Sequence, residues 1–421
     1  MKKILLVLTA AFGFQMMATA QDPSVSGRTS EDELNAITTA VPFLLISPDS
    51  RSGAMGDAGV AVSPDVNAQH WNSSKLAFAE DEMQVSLSYS PWLRQLVDDM
   101  NLAYLSWYMK LNKTSAVGAS LRYFTLGDIT FTDVNGQTIR PFRPAEFALD
   151  VSYSLQLSKR FSGGIAARWV NSNLTGGVSA GGADSKAANA FAVDISGYYK
   201  NDDISIGDKD AQLAFGMVVS NIGNKISYTN TAQRDFLPAN LRLGTALTLE
   251  LDQYNKITFA YDANKLLVPT PPIYDPTDRS IILAGRDPNV GVAAGMFGSF
   301  TDAPGTPIRD EQDNYEIVDG KVVVEKGSVF REELREINHS FGMEYWYADQ
   351  FAVRAGYFYE HPTKGNRQYF TIGAGFRYNV FGLDLSYLIA TTQRNPLANT
   401  LRFTLSMRFD KGGDSTKPAA N

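Results

Sequence analysis

Apolar and polar residues alternate through much of this chain with a period of two. From Phe147 the odd positions read Leu149, Val151, Tyr153, Leu155 and Leu157, and between them lie Ala148, Asp150, Ser152, Ser154 and Gln156. The C-terminal stretch repeats the pattern, with Leu401, Phe403, Leu405, Met407 and Phe409 against Arg402, Thr404, Ser406 and Arg408. Successive side chains of a strand point to opposite faces, so each run has one apolar and one polar face. A soluble sandwich alternates too, but its strands are usually about 5–6 residues long. These runs reach the ~9–11 residues of a transmembrane barrel strand, whose apolar face meets lipid and whose polar face lines a lumen.

The pattern predicts fourteen strands, near 82–90, 101–112, 114–124, 146–157, 160–171, 188–200, 211–221, 239–251, 255–264, 338–347, 350–360, 367–378, 380–390 and 400–410. Their connections fall into two alternating classes. Short polar turns follow the even strands, at Asn112-Lys113, Ser158-Lys159, Asp252-Gln253, Ala348-Asp349 and near Asn379, with one longer hydrophilic link at 201–210. Longer loops follow the odd strands, at 91–100, 125–145, 172–187, 222–238, 265–337, 361–366 and 391–399. Bacterial barrels keep short turns in the periplasm and long loops outside, so this parity places both termini in the periplasm. Tyr345-Trp346-Tyr347 and Tyr357-Phe358-Tyr359 sit near strand ends, where aromatic rings form interfacial girdles. Gly373, Gly375 and Gly382 are expected to mark close packing or barrel curvature.

The chain opens with Lys2 and Lys3, an apolar stretch from Ile4 to Phe14, and Ala18-Thr19-Ala20. That reads as an export signal peptide cleaved after Ala20, its apolar run too short for a spanning helix. The expected organisation is a signal peptide at 1–20, a periplasmic N-terminal segment and hatch at 21–80, the barrel at 81–410 and a periplasmic tail at 411–421. Composition agrees: 24 Phe, 19 Tyr and 34 Gly, with a hydrophobic share of 44% and no second long apolar run. Lipid tolerates only helices and closed sheets, which leaves a closed sheet. The absence of cysteine removes disulfides and thiolate metal sites. A net charge of −7 argues against a nucleic-acid partner.

Residues 21–40 are polar, and the stretch from Pro42 to Ala61 is dense in glycine and small residues. Such a stretch suits chain threaded inside a barrel, with Gly53, Met55, Gly56, Asp57, Gly59, Trp71 and Asn72 as hatch residues. The alternative is a periplasmic turn into the first strand. Chemistry has few candidates, the histidines being His70, His339 and His361. His339-Ser340 with Glu344 could be drawn as a hydrolytic dyad and its acid, but strand neighbours point to opposite faces. His70 reads as a packing group and His361 as a solvated loop residue. No histidine pair has i, i+4 spacing, no carboxylates fall in EF-hand order, and Gly373-Ala374-Gly375 lies inside a strand. Neither catalysis nor a cofactor or metal is expected.

The run Gly53-Ala54-Met55-Gly56-Asp57-Ala58-Gly59-Val60-Ala61, then Pro64-Asp65 and Asn67-Ala68, then His70-Trp71-Asn72-Ser73-Ser74-Lys75-Leu76-Ala77-Phe78, resembles the hatch of FadL-like outer-membrane barrels. More narrowly it resembles the PorV family of the Bacteroidetes type IX secretion system. Ser220-Asn221-Ile222-Gly223, Ala260 to Lys265, Gly342 to Tyr347 and Arg354 to Tyr359 extend the likeness over the mature chain. The resemblance implies an all-β, fourteen-stranded antiparallel barrel with a luminal hatch, acting as an adaptor without chemistry of its own. Such an adaptor binds the C-terminal signal domain of secreted cargo and carries it from the type IX translocon to a surface attachment complex containing a PorU-type sortase. Outer-membrane lipid and lipopolysaccharide are its surroundings. The alternatives are a FadL-like transporter of hydrophobic small molecules, which needs a pocket between hatch and wall, and a lipid A deacylase.

An adaptor needs exposed, adhesive loops. Loop 91–100 offers Trp92, Leu93 and Leu96, and loop 265–337 offers Leu266, Leu267, Val268, Ile273, Tyr274, Phe297 and Phe300. The long loop far exceeds common lengths, its prolines 269, 271 and 272 lower the entropy cost of docking, and apolar groups facing water suggest a partner. These residues are expected to form the partner surface, the alternative being a lid over the barrel mouth. The stretch from Arg309 to Glu336 is charged enough to be a solvated excursion.

Overall fold

The computed structural model describes residues 34–94, 97, 99–132, 135, 137–177, 185–229, 234–312, 314–391 and 397–409. The expected signal peptide, the tail from 411 and Leu96 lie outside the described residues. Fourteen antiparallel strands close into a barrel. They are β1 Met83–Pro91, β2 Met100–Lys110, β3 Ser115–Leu126, β4 Ala145–Gln156, β5 Phe161–Asn173, β6 Ala188–Ile206 and β7 Lys209–Gly223, then β8 Asn240–Glu250, β9 Asn255–Leu266, β10 Asn338–Tyr347, β11 Phe351–Tyr359, β12 Gln368–Tyr378, β13 Phe381–Ala390 and β14 Leu401–Phe409. The ring closes where β1 pairs with β14, Met83 opposite Phe409 and Leu87 opposite Leu405.

The alternation decides which way each side chain points. In β4, Leu149, Val151 and Tyr153 are exposed while Ala148, Asp150, Ser152 and Ser154 are buried. Leu105, Ile165, Phe191, Ile195, Met217, Phe259 and Val353 likewise face out. So wide an apolar band is unfavourable in water and suits hydrocarbon, and the closed ring leaves no unpaired edge in it. No helix among the described residues is long and apolar enough to cross a membrane.

Short turns follow the even strands and longer loops the odd ones, as the pattern predicts. The link expected at 201–210 is different. Strand β6 runs on to Ile206, which pairs with Lys209, leaving Gly207 and Asp208 as the turn. In this hairpin Lys200 and Gln212 bond to Asp202, and its polar residues outnumber Ile204 and Ile206, so the segment reads as a hydrophilic link in the sequence. The aromatic triplets also divide. Trp346 faces inward between the guanidiniums of Arg354 and Arg377, and Phe358 is buried against Tyr369, so only the outer members of each triplet can serve a girdle.

Residues 41–79 lie against inward-facing residues of the wall. They form a 3-10 turn at Pro42–Leu45, helix α1 at Ser50–Gly53, helix α2 at Ala68–Trp71 and a second 3-10 stretch at Ser73–Phe78. Asp49 starts α1 by accepting from the Ser52 amide at 2.9 Å. The segment leaves at the turn end, where Lys110 donates to Ala79 O. Its other end lies at the loop end: Asn35 N donates to Thr363 O at 2.8 Å and Ala40 N to Phe236 O at 3.0 Å, both acceptors on loops that follow odd strands. Strand β14 finishes at the turn end, where Arg408 N meets Val380 O. The expectation of an N-terminal segment on the same side as the C-terminus therefore fails for residues 34–40. Loop parity counts strand directions, and it cannot register chain that climbs the lumen before the first strand.

Candidate functional site: the packed lumen and the loop-end mouth

The expected hatch residues come together inside the barrel. Gly56 has φ +66°, and an added Cβ there would stand 2.6 Å from the Tyr357 backbone. Opposite it, a Cβ on Gly356 would lie 2.0 Å from Gly56 N, so two backbones touch at a spacing that only glycine permits. Gly56 N donates to Thr371 Oγ1 at 2.8 Å, and Gly59 N and Val60 N both donate to Asp262 Oδ2. Asp57 accepts from Tyr369 OH at 2.7 Å, Trp71 Nε1 donates to Asp49 Oδ1 at 2.6 Å, and Asn72 Nδ2 donates to Val60 O and Gly197 O at 3.1 Å. Met55 is fully buried, and Gly53 O faces Arg402 Nη1 at 3.4 Å.

Charge holds this packing in register. Arg51 grips Glu344 through Nη2 at 2.7 Å and Nε at 2.9 Å, and reaches Asp65 at 3.0 Å. Glu344 also accepts from Arg354, which bonds to Asp384, which accepts from Arg377. The chain Asp65–Arg51–Glu344–Arg354–Asp384–Arg377 alternates in sign, which buried charges require. A second set joins Arg168 to Asp150 and Asp194. His70 is buried, its Nδ1 accepting from Arg122 Nη2 at 2.6 Å. His339 faces outward beside Tyr261 OH at 2.8 Å while Ser340 is fully buried on the inner face, so the two form no dyad. His361 is half-buried and accepts from the Thr363 amide.

The mouth only partly matches the expected partner surface. Trp92 is half-buried against an apolar cluster that contains Phe43, Leu44, Phe124 and Leu237, and Leu93 is half-buried with φ +48°. Leu267 and Val268 are buried, and Leu266 and Ile273 half-buried, so this part of the loop is packed down and does not stand open. The reason is its own pattern, since a proline-stiffened apolar strip finds cover on the mouth more readily than in water. Tyr274, Phe300 and above all Phe297, at 80% exposure, stay open. Phe297 is carried by helix α3, Val292–Gly298.

The stretch from Arg309 to Glu336 is not a solvated excursion throughout. It ends in helix α4, Ser328–Arg335, whose Glu332 and Glu333 are buried together with Glu336. Glu336 accepts from Lys265 at 2.6 Å, Lys364 at 3.0 Å and Thr270 Oγ1 at 2.7 Å. Glu333 accepts from Lys265 and Ala303 N, and Glu332 from Lys364, Gly305 N and Asn35 Nδ2. This clasp ties the long loop to β9, to the loop after β11 and to the strap at 34–40. Burial pushes the nearby Asp302 carboxyl up to about 6, with Glu333 and Glu336 adding to the rise. The sequence carried the charges of the clasp openly, but nothing in their spacing indicated that distant loops would pair them.

Residues 29–273 match the family model described as Type IX secretion system protein PorV. No curated protein matches the chain. Among solved structures it is similar to the toluene transporter TodX of P. putida, at 12% identity and TM-score 0.45 over 90% of this chain and 100% of that one. It is also similar to the toluene transporter TbuX of Ralstonia pickettii, at 11% and 0.43 over 86% and 98%. A FadL homologue of Pseudomonas aeruginosa gives 12% and 0.43 over 89% and 99%.

Proposed function

The chain belongs to the PorV family of type IX secretion system proteins of the outer membrane, and on that premise we propose that it is a cargo adaptor whose docking surface is the loop-end mouth. In this reading the mouth faces the cell exterior. It receives the C-terminal signal domain of secreted cargo at the translocon and hands it to a surface complex containing a PorU-type sortase. The observation that carries the reading is the exposure of Phe297, with Phe300 and Tyr274, above a lumen filled by chain. Large aromatic groups held in water by an ordered loop favour a protein partner, and such anchors contribute about 2 kcal/mol or more each. The packed lumen weighs against a small-molecule route: residues 41–79 act as a hatch whose hydrogen bonds and ion pairs with the wall would all have to part.

The test replaces Tyr274, Phe297 and Phe300 together by Ser and measures cargo that co-purifies from detergent-solubilised outer membrane. Barrel assembly stays intact, because these side chains lie off the wall, and cargo recovery falls to background. Wild-type recovery would remove the mouth as the docking surface. The sidedness has its own readout in a chain without cysteine: Asp319→Cys labels on intact cells with an impermeant maleimide, and Asp252→Cys, in a turn, does not.

A further inference from the structure

The clasp buries more acid than base. Glu332, Glu333, Glu336 and Asp302 are all buried, and the cations that touch them among the described residues are Lys265 and Lys364. Each glutamate meets a lysine. Asp302 does not: its Oδ2 accepts from the Thr270 amide at 3.3 Å, and its Oδ1 is buried with no hydrogen-bond partner among the described residues. The carboxyl is only 4% exposed and belongs to the same cluster, since Thr270 Oγ1 donates to Glu336 at 2.7 Å and the next amide, Ala303 N, donates to Glu333 at 2.9 Å. A buried carboxylate left in this way is costly, and the cost falls when a cation reaches it.

Asp302 lines a recess of about 310 Å³ in the long loop. Its walls draw on two short hairpins, Ile273–Tyr274 with Ile282–Ala284 and Ile317–Val318 with Lys321–Val322. Leu283, Ala303 and Val322 are buried in the wall, whereas Arg286, Thr301 and Lys321 line the recess as exposed residues and mark its open side. Two of the exposed aromatic groups of the mouth stand beside it. Tyr274 pairs with Ile282, a wall residue, and Phe300 precedes Asp302 by two positions, its ring 5.7 Å from Lys265 Nζ.

We propose that this recess is a docking pocket for a lysine or arginine side chain of a partner peptide, with Asp302 Oδ1 accepting from its cationic end. The proposal rests on the reading of the mouth as a protein-docking surface and adds what that surface selects. The stem of the side chain runs along Leu283 and Val322, as the apolar stems of basic residues do, and its end makes a charge-assisted hydrogen bond with the carboxylate. Acidic residues next to the basic one suit the rim, where Arg286 and Lys321 stand exposed. A neutral side chain leaves Asp302 unanswered and an acidic one adds to the acid excess, so the pocket discriminates by charge. A largely apolar recess with one convergent polar group is also the usual form of a selective pocket.

The test uses the full-length protein in detergent, at a pH above about 6 where Asp302 is ionised. Fluorescence anisotropy compares two labelled peptides, Gly-Glu-Lys-Glu-Gly and the same peptide with norleucine in place of lysine, which keeps the stem and removes the charge. Wild type binds the lysine peptide about tenfold more tightly than the norleucine peptide. Asp302→Asn, which keeps the shape of the side chain and an acceptor for Thr270 N, brings the two peptides level. Thr301→Trp, an exposed substitution at the opening, weakens binding of the lysine peptide, and Asp278→Asn, exposed elsewhere on the loop, leaves the preference unchanged. Migration of the unheated folded barrel on a gel checks assembly of each variant. Equal binding of the two peptides by wild type, a preference kept by assembled Asp302→Asn, or wild-type binding by Thr301→Trp overturns the proposal. The failure is distinguishable from failure of the cargo reading, which is tested by cargo recovery on Tyr274, Phe297 and Phe300, all unaltered here.

Discussion

The luminal segment 41–79 and the long loop 267–337 are both chain without barrel alternation, and both bury charged side chains. They differ in what they leave outside. The luminal segment is largely enclosed, its Arg51 and Asp49 answered by partners and its glycines pressed on the wall. The loop buries Glu332, Glu333 and Glu336 in its clasp, and Phe297, Phe330 and Leu334 remain in the open. Chain packed inside a closed wall gains from burying its polar groups against partners. A surface loop can invert the usual arrangement when lysines from elsewhere neutralise its acids, because the polar interior then fixes the loop and leaves apolar groups exposed.

The sharpest way to break this comparison is to remove one charge from each region. Glu344→Leu leaves Arg51 and Arg354 short of a carboxylate in the lumen and should cost about 3–5 kcal/mol, read as a lower denaturation midpoint of the purified barrel. Glu325→Gln breaks the half-exposed pair with Arg331 in the loop and should cost about 0–1 kcal/mol. Equal losses would mean that the lumen is solvated and the luminal segment loosely packed.

Glycine gives a smaller contrast. Gly356→Ala puts a methyl 2.0 Å from Gly56 N, and overpacking of this kind costs about 1–3 kcal/mol or more. Gly298→Ala, with nothing within 4 Å of its Cβ position, should leave the same midpoint unchanged. A tolerated Gly356→Ala would show that the segment can withdraw from β11.

The smallest effect is pH-dependent and confined to the loop. Asp302 has its folded pKa raised from 3.8 to about 6, so its protonated form is favoured in the folded loop. Its contribution to loop stability is fully present below about 3.8 and is lost as pH rises through about 6. Limited proteolysis within 267–337 should therefore be slower at pH 4.5 than at pH 7, and Asp302→Asn should flatten its share of the difference. Identical cleavage profiles for wild type and Asp302→Asn would show that Asp302 does not couple loop stability to pH.

Strand number, strand direction and the facing of residues such as Leu149 and Asp150 were legible in the sequence, because lipid on one side and lumen on the other impose a period of two residue by residue. The glycine-dense run around Gly56 was legible as chain for close packing, and the separation of His339 from Ser340 followed from the same alternation. Contacts between segments far apart in the chain were not. Asn35 reaching Thr363, Glu332 meeting Lys364 and Arg51 meeting Glu344 depend on where closure of the ring brings distant elements. The burial of Leu267 and the exposure of Phe330 likewise depend on which neighbours the closed mouth supplies. Period and composition act locally and so can be read from the chain alone, whereas the pairing of buried charges and the cover given to each apolar residue are decided only when the whole barrel has closed.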